Sequence, residues 1–495
     1  MTEDVDTEDL KLRLICCDCV GEVFLSNEIE SSGKDGNCNY CGGVGKTFTL
    51  EQLAVRISTA FGQHYERTDP NPTGFEYAMM RDKESTYDWS RHGELVTDVI
   101  QEAALIDEQP AIDIQQILRD ENAGDPTDWS GDEQEFDDES HYEPKKFDDE
   151  TWQREWRQFE RSLKTESRFF SEEARAHLTR LFDGVATMRT QSGAGVIVEA
   201  GPEEELPIHG FYRARAFESW SNLETALTDP AQNLGPPPPT LAQGGRMNAR
   251  GIAVFYGADE PETALAEVRP PVGANVVVAR FMLVRRVRLL DLKALAEILE
   301  KGSIFDPIYA ARKERALFLE RLLRRMTMPV MPSDEALEYL ATQAVADFLA
   351  SRIEPELDGI LFPSVQVPGR KSNVVLFQKA ARIAAIKYPK GTKLSVDTGI
   401  FNGEEWEHQL TVVEEVPPPE SGKSLPPPFD QTGMGGLSDI DWDPDPDLDK
   451  RPMTLDVDLT SLEVRKVTGV HFHTDNEKVD RKCIKRQRHP GQSDF

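Results

Sequence analysis

No apolar run in the sequence approaches the roughly 18 residues that a membrane-spanning helix needs. The start, MTEDVDTEDL, is acidic where a secretory leader is basic. These two absences lead to the expectation of a cytoplasmic protein with no membrane partner. Positive charge is also scarce, with 56 Lys and Arg against 88 Asp and Glu and a formal net charge of -32. A field of that sign repels nucleic acid unless a local basic patch overrides it, so nucleic acid is not an expected partner. Cysteine is sparse and uneven, and five of the six fall between Cys16 and Cys41. A secreted disulfide scaffold spreads its cysteines through the chain, so a metal site fits this clustering better. Length is not lacking: 495 residues imply two or three domains.

The cysteines read CCDC at 16–19 and CNYC at 38–41, giving Cys16-x2-Cys19 followed by Cys38-x2-Cys41. Two thiolate pairs on short knuckles close a tetrahedron around zinc, and the metal supplies folding energy that so small a segment lacks. Cys17 is an alternative to Cys16, with a tighter spacing to Cys19. The bland reading is a set of free thiols. Closed four-cysteine sites are structural, so residues 1–48 are expected to form a zinc ribbon with Cys16, Cys19, Cys38 and Cys41 as ligands. GGVGKT at 42–47 ends as a phosphate-binding loop does, with Gly45, Lys46 and Thr47. Its first glycine would fall at Tyr40 and no apolar strand precedes it, so the glycines are read as knuckle turns.

Residues 49–200 read as mainly helical. LEQLAVRISTAF spaces Leu50, Leu53, Ile57 and Phe61 on one helix face, and HGELVTDVIQEAAL does so with Leu95, Val99 and Ile100. A third helical stretch carries Trp152, Trp156, Phe159 and Leu163, read as packing aromatics. Between them an acidic, turn-rich insertion near 119–150 is expected to be loop. From about His209 to Tyr388 strands and helices mix without the regular alternation of a doubly wound sheet, so the class is α+β. GIAVFYGA and ANVVVARFMLVRRVRLLDL read as strands, as do DGILFPS and NVVLFQ. A helix from a cap at Ser333 is expected to bury Leu337, Leu340, Ala344 and Phe348. Residues 389–495 are a proline-rich and acidic tail, with a late strand expected at SLEVRKVTGVHFH. His471 and His473 on that strand read as surface residues rather than as metal ligands.

One stretch, GGRMNARGIAVFYGADEPETALAEVRP from Gly244 to Pro270, sets polar groups at structural boundaries. Asp259 and Glu262 form a capping-box pattern with Pro261 in the first turn, so a helix follows the strand that ends near Tyr256. Glu267 falls beside the apolar stripe of that helix, where a lone glutamate is ordinarily solvated or salt-bridged. Tyr256 taken alone is a core aromatic with a satisfied hydroxyl. Arg246 lies in a glycine-flanked loop, where a guanidinium can grip an anion, or where it simply faces solvent. Arg213, on an earlier strand beside Tyr212, needs a partner, which a carboxylate would satisfy.

FYRAR at 211–215, the stretch at 244–268, and ATQAVADFLASRIEPELDGILFPSVQVPGRKSNVVLF at 341–377 resemble, in order and spacing, the blocks of the RES domain family. The resemblance covers roughly residues 205–385 and implies a RES domain over 205–388. It implies a mixed sheet similar to that of ADP-ribosyltransferases, an activity that consumes NAD, and control by a partner antitoxin or regulatory protein. Carried over position by position, it implies that Arg213, Arg246, Tyr256, Glu267 and Ser364 line the NAD site, with Asn373 assisting. Where the family often has an aromatic residue this chain has Met247, which puts one packing contact in question.

In that picture Glu267 stabilises positive charge on the ribose, and Arg213 and Arg246 grip the pyrophosphate. Tyr256 stacks on nicotinamide, and Ser364 bonds ribose or holds Glu267. The N-terminal region also resembles the zinc-bearing helical segment attached to some RES domains and likened to HEPN domains. It lacks the Arg–His pair of catalytic HEPN domains, since Arg56 and His64 are too far apart and Arg91 and His92 are adjacent. The resulting expectation is an α+β multidomain protein that cleaves the nicotinamide–ribose bond by hydrolysis or phosphorolysis, as a toxin or defence effector with its N-terminal region as sensor. The rivals are a protein ADP-ribosyltransferase and a catalytically silent scaffold that binds a partner.

Overall fold

The computed structural model describes residues 6–123, 133–418 and 449–482, apart from positions 83, 332, 368, 370, 402–405, 408–409, 472–473, 475–476 and 480. The N-terminal strands β1 (Leu14–Cys16), β2 (Lys34–Asn37) and β3 (Val44–Thr49) make a small antiparallel sheet in the order β1-β3-β2. Thr49 ends β3 and caps α1 (Leu50–His64), with Gln52 completing a reciprocal capping box. The four apolar positions read at helical spacing on α1 are all buried. On α2 (Val96–Ala104) Val99 and Ile100 are buried, but Leu95 is the exposed N-cap residue and leaves that face. Next comes α3 (Glu108–Glu121). The acidic insertion partly lies outside the described residues, and its end is not loop. His141–Pro144 is a short strand between Tyr65–Arg67 and Glu94–Leu95, anchored by the buried Tyr142.

The third helical stretch forms α4 (Glu150–Thr165) and α5 (Glu172–Leu181). An eight-stranded sheet follows. Its elements in chain order are β4 (Ile197–Ala200), β5 (Gly210–Phe217), α6 (Trp220–Thr228), β6 (Phe255–Ala258), α7 (Pro261–Val268), β7 (Asn275–Leu283) and β8 (Val287–Asp291). They continue with α8 (Tyr309–Thr327), α9 (Glu335–Arg352), β9 (Gly359–Pro363), β10 (Ser372–Leu376) and β11 (Leu455–Lys466). The strand order is β11-β7-β5-β6-β10-β9-β8-β4, antiparallel except for the β8–β9 pair. The sheet therefore extends past 205–388 at both edges, with β4 on one side and the late strand β11 on the other. That late strand ends at Lys466, before His471, and His473 lies outside the described residues. The stretch 274–292, read as strand, forms two strands, β7 and β8, parted at Val284–Arg286.

The two helical parts are not independent of the sheet. Trp156, Phe159 and Leu163 of α4 and Leu178 of α5 share one core with Phe318 and Leu322 of α8 and Val345 and Leu349 of α9. On α9 the buried face is Ala341, Thr342, Val345, Ala346, Phe348 and Leu349. Leu337 is 51% exposed, so the expected stripe is rotated toward the small residues that let α9 approach its neighbours. Its N-cap is Asp334, and the Ser333 hydroxyl donates to that carboxylate and accepts no helix N–H among the described residues.

One histidine couples this core to pH. His177 packs among Trp152, Trp156 and Phe159, with Nδ1 3.3 Å from Glu155 Oε2, and Arg180 shares that carboxylate. Burial holds its pKa below the ordinary 6.5, against the opposing pull of Glu155. The folded protein thus keeps His177 neutral, while the unfolded chain takes up a proton as pH falls through 6.5. The stability tied to this histidine is complete above that pH and is lost below it. Thermal unfolding between pH 7.5 and 5.5 should show a fall in Tm that His177→Gln makes shallower. An identical pH slope in the variant would exclude the coupling.

Candidate functional site

The four cysteine Sγ atoms of Cys16, Cys19, Cys38 and Cys41 all lie within 4.8 Å of one another. Cys16 and Cys41 are 3.5 Å apart and Cys19 and Cys38 3.7 Å apart. Four thiolates at ordinary zinc–sulfur distances sit about 3.8 Å from each other, so the donor set and its spacing fit a tetrahedral metal. The cluster takes Cys16 and leaves out Cys17, whose carbonyl accepts from Ser26. Burial pushes the Cys38 thiol up, but backbone donors at Cys41 and Tyr40 outweigh it and bring its pKa to about 7. Gly42 turns the knuckle at φ 72°, and its N–H donates to the Cys38 carbonyl. Tyr40 stands where a phosphate loop would need glycine. Its hydroxyl donates to Asp113 Oδ2 at 2.7 Å, and Arg13 reaches the same oxygen at 2.6 Å, tying the knuckle to α3.

The second cluster forms where β9, β10 and α7 meet. α7 begins with Pro261 in its first turn, as its fixed φ favours. The expected capping box does not form: the N-cap is Glu260, and the Asp259 carboxylate instead accepts from the Ser372 N–H at 2.8 Å. β10 is a closer donor for Asp259 than the helix, and this bond pins the start of α7 to the strand that carries Asn373.

The helix ends at Val268, where Arg269 takes a left-handed φ of 48° and Pro270 follows. Glu267 therefore lies in the last turn, where the helix dipole disfavours a carboxylate. Two donors compensate. Ser364 Oγ donates to Glu267 Oε1 at 2.6 Å and Asn373 Nδ2 donates to the same oxygen at 2.8 Å. Ser364 and Asn373 are buried, while Glu267 is exposed. Oε2 of Glu267 has no hydrogen-bond partner among the described residues, and neither has the buried Oδ1 of Asn373. The outcome is a carboxylate fixed through one oxygen and open at the other.

Tyr256 and Arg246 make an adjoining group. Tyr256 pairs with Val375 of β10, and Asn373 pairs with Ala258, so Tyr256 and Asn373 face the same side of the sheet. The Tyr256 hydroxyl donates to Asn248 Oδ1 at 2.9 Å and accepts from the Met247 N–H at 3.0 Å, and burial pushes its pKa up. A Cβ at Gly245 would stand 2.9 Å from that hydroxyl, so glycine is what lets the loop lie on Tyr256. The flanking glycines thus bring backbone to the tyrosine. Met247 is 2% exposed in the main core, which settles the packing question its departure raised. Arg246 Nη1 donates to the carbonyls of Met326 and Met328 at the end of α8, and its guanidinium lies 5.2 Å from the Tyr339 ring centroid. A cation there suits the helix C-terminus.

Arg213 is placed differently. β5 and β6 pair at Tyr212–Ala258 and share no further register. Since Tyr212 faces with Ala258, Arg213 faces the opposite side, and its guanidinium lies 5.1 Å from the centroid of Phe255. Its Nη1 is buried with no hydrogen-bond partner among the described residues. Burial, with help from the charge of Arg215, lowers its pKa to about 10. The structure therefore joins Glu267, Ser364 and Asn373 directly, sets Tyr256 and Arg246 beside them, and puts Arg213 on the other face at the seam where β5 and β6 part. Residues not singled out in the sequence complete the frame. Asn248 fixes Tyr256, and Thr342 and Gln343 hold the carbonyls of Arg246 and Gly245 at 2.6 and 2.8 Å. Polar residues on the buried face of α9 were the available signal.

Residues 211–398 match the family model described as RES domain, and residues 31–177 match that described as HEPN/RES N-terminal domain 1. The first match spans the whole Glu267 cluster, and the second takes in Cys38 and Cys41 and ends at His177. No curated protein and no solved structure gives a significant match. Among the described residues no helix is long and apolar enough to cross a membrane.

Proposed function

We propose, from the premise that residues 211–398 match the RES domain and residues 31–177 the HEPN/RES N-terminal domain 1, that the protein degrades NAD by cleaving the nicotinamide–ribose bond. The observation that carries the reading is the convergence of Ser364 and Asn373 on one oxygen of Glu267, which leaves the other oxygen to a ligand. Nicotinamide departs with the bonding electrons, and positive charge grows on the ribose. A fixed carboxylate stabilises that charge and can accept from a ribose hydroxyl. Water then attacks the ribose carbon to give ADP-ribose and a proton, or phosphate attacks to give the ribose phosphate ester.

Asn373 Oδ1, buried without a donor, suits a ligand hydroxyl or amide N–H. Of the two arginines that the resemblance assigns to the pyrophosphate, Arg246 lies beside Tyr256 and Arg213 lies at the seam of β5 and β6 on the other face of the sheet. The unpartnered guanidinium nitrogen of Arg213 is a buried donor for which a pyrophosphate oxygen would be the counter-charge. Tyr256 offers its ring to nicotinamide while Asn248 holds its hydroxyl. In this reading the activity is that of a toxin or defence effector. The cysteine knuckle holds zinc, and the N-terminal region senses the trigger or receives a regulatory partner.

Incubation of purified protein with NAD, with and without phosphate, followed by mass spectrometry should show free nicotinamide together with ADP-ribose or its phosphate ester. Label from NAD retained on protein would instead identify a side chain as the acceptor. Absence of NAD binding and turnover, with partner capture by the N-terminal region, would favour the scaffold.

A further inference from the structure

A large cavity lies apart from the Glu267 cluster, and none of Glu267, Tyr256, Ser364, Asn373, Arg213 or Arg246 lines it. It opens where three parts of the chain meet: the α4–α5 connection at Arg168, the loop from Met247 to Val254, and the segment at Asp449 and Arg451. Its volume is about 1270 Å³, above the roughly 300–1,000 Å³ of ordinary small-molecule pockets. One wall is apolar, made by Pro236 to Pro239 with Ile252, Val254 and Leu340.

The charge of the lining is opposite to that of the chain. Among the described residues its lining carries Arg168, Arg250, Lys379, Arg382 and Arg451 against Asp347 and Asp449, with Lys379 also paired to Glu356 at 3.3 Å, in a protein whose net charge is -32. Asp449 is already engaged, by Arg451 at 2.6 Å and by Arg382 at 3.7 Å. Arg168 donates through Nε to the Leu163 carbonyl, and neither of its Nη atoms has a partner among the described residues. Arg250 is exposed and makes no hydrogen bond or ion pair among them. Two forked cations from different parts of the chain thus border one cavity with an apolar wall. A planar base on the wall with phosphates on the guanidiniums satisfies both features.

We propose that this cavity binds a nucleoside polyphosphate, with Arg168 and Arg250 on its phosphates and the base against the proline-lined wall. Met247 and Asn248 form part of the lining, and the same two residues hold the Tyr256 hydroxyl. The ligand therefore sits against the residues that position Tyr256, at the junction of the helical region with the sheet. Domain junctions are where such sites concentrate. The inference is independent of the NAD reading, because it is read by binding and not by turnover.

Isothermal titration of the full chain with ATP, adenosine and inorganic triphosphate tests it. ATP should bind more tightly than either fragment. Arg168→Ala and Arg250→Ala should each weaken it at least tenfold at unchanged Tm, with Arg250→Lys recovering part of the loss. In the Glu267→Gln chain, saturating NAD should leave the ATP affinity within twofold. The proposal is overturned if ATP gives no binding at millimolar concentration, or if the arginine variants bind it as the parent does. Triphosphate binding as tightly as ATP would overturn the nucleotide assignment, and displacement of ATP by NAD would overturn a separate site.

Discussion

Glu267→Gln is expected to lower the release of nicotinamide from NAD by on the order of a hundredfold or more while leaving the Tm within about a degree. The substitution keeps the volume of the side chain. It also keeps an oxygen that can accept from Ser364 Oγ at 2.6 Å and Asn373 Nδ2 at 2.8 Å, so the fold has no reason to change. What it removes is the negative charge, and that charge is held where the helix dipole opposes it. An arrangement that costs stability and then spends two buried donors to offset the cost is a mark of a group retained for chemistry.

Ser364→Ala and Asn373→Ala act one step away. Each frees Oε1 of one donor, and each should reduce kcat by about tenfold with little change in KM, in the manner of lost transition-state positioning. The double variant should fall short of the product of the single losses, because both donors fix the same oxygen. Turnover of Glu267→Gln equal to that of the parent would remove Glu267 from the reaction, whatever the two donors do.

What the sequence made legible follows from how local each feature is. The cysteine pairs, the stripe of α1 and the aromatic face of α4 are set by spacings within one element, and all are found in the structure. Pro261 in a helix start was legible for the same reason, whereas Tyr256, expected near the strand's end, is the second residue of a strand that runs on to Ala258. The strand itself begins only at Phe255. Ile252 to Val254 are apolar but follow a turn at Gly251, φ 90°, in which the Gly251 N–H donates to the Ala242 carbonyl. Register is another matter. Alternation tells that Arg213 and Tyr212 face opposite ways, but which of them shares a face with Tyr256 depends on how β5 lies against β6. The same holds for Asp259, which found a donor on β10 more than a hundred residues away in place of its own helix. The late strand β11 was recognisable as a strand, yet its place beside β7 is a pairing that no local pattern encodes.

Removal of the knuckle metal is expected to have the other large effect, and it should be confined to the N-terminal region. Purified protein should carry one zinc per chain, and Cys19→Ser or Cys38→Ser should abolish it, while Cys17→Ser leaves it intact. Only Cys16 lies in a strand, Cys19 ends a single 3-10 turn, Cys38 and Cys41 lie between β2 and β3, and the strands themselves are three to six residues long. Their buried apolar contribution is small, with Ile15 and Phe48 the main side chains, so the metal has to supply much of the local stability. Structural zinc sites release about 10–16 kcal/mol on binding, more than such a sheet could replace. Loss of zinc should therefore expose residues 14–49 to proteolysis. It should also loosen the contact that Tyr40 and Arg13 make with Asp113, a carboxylate only 3% exposed on α3. A buried carboxylate deprived of both partners is costly, so the disturbance should pass from the knuckle into α3. The sheet has its own core, shared with α8 and α9, and nicotinamide release by the zinc-free protein should persist if the ribbon serves recognition. Zinc retained by both Cys19→Ser and Cys38→Ser would mean that the four thiols are not its ligands.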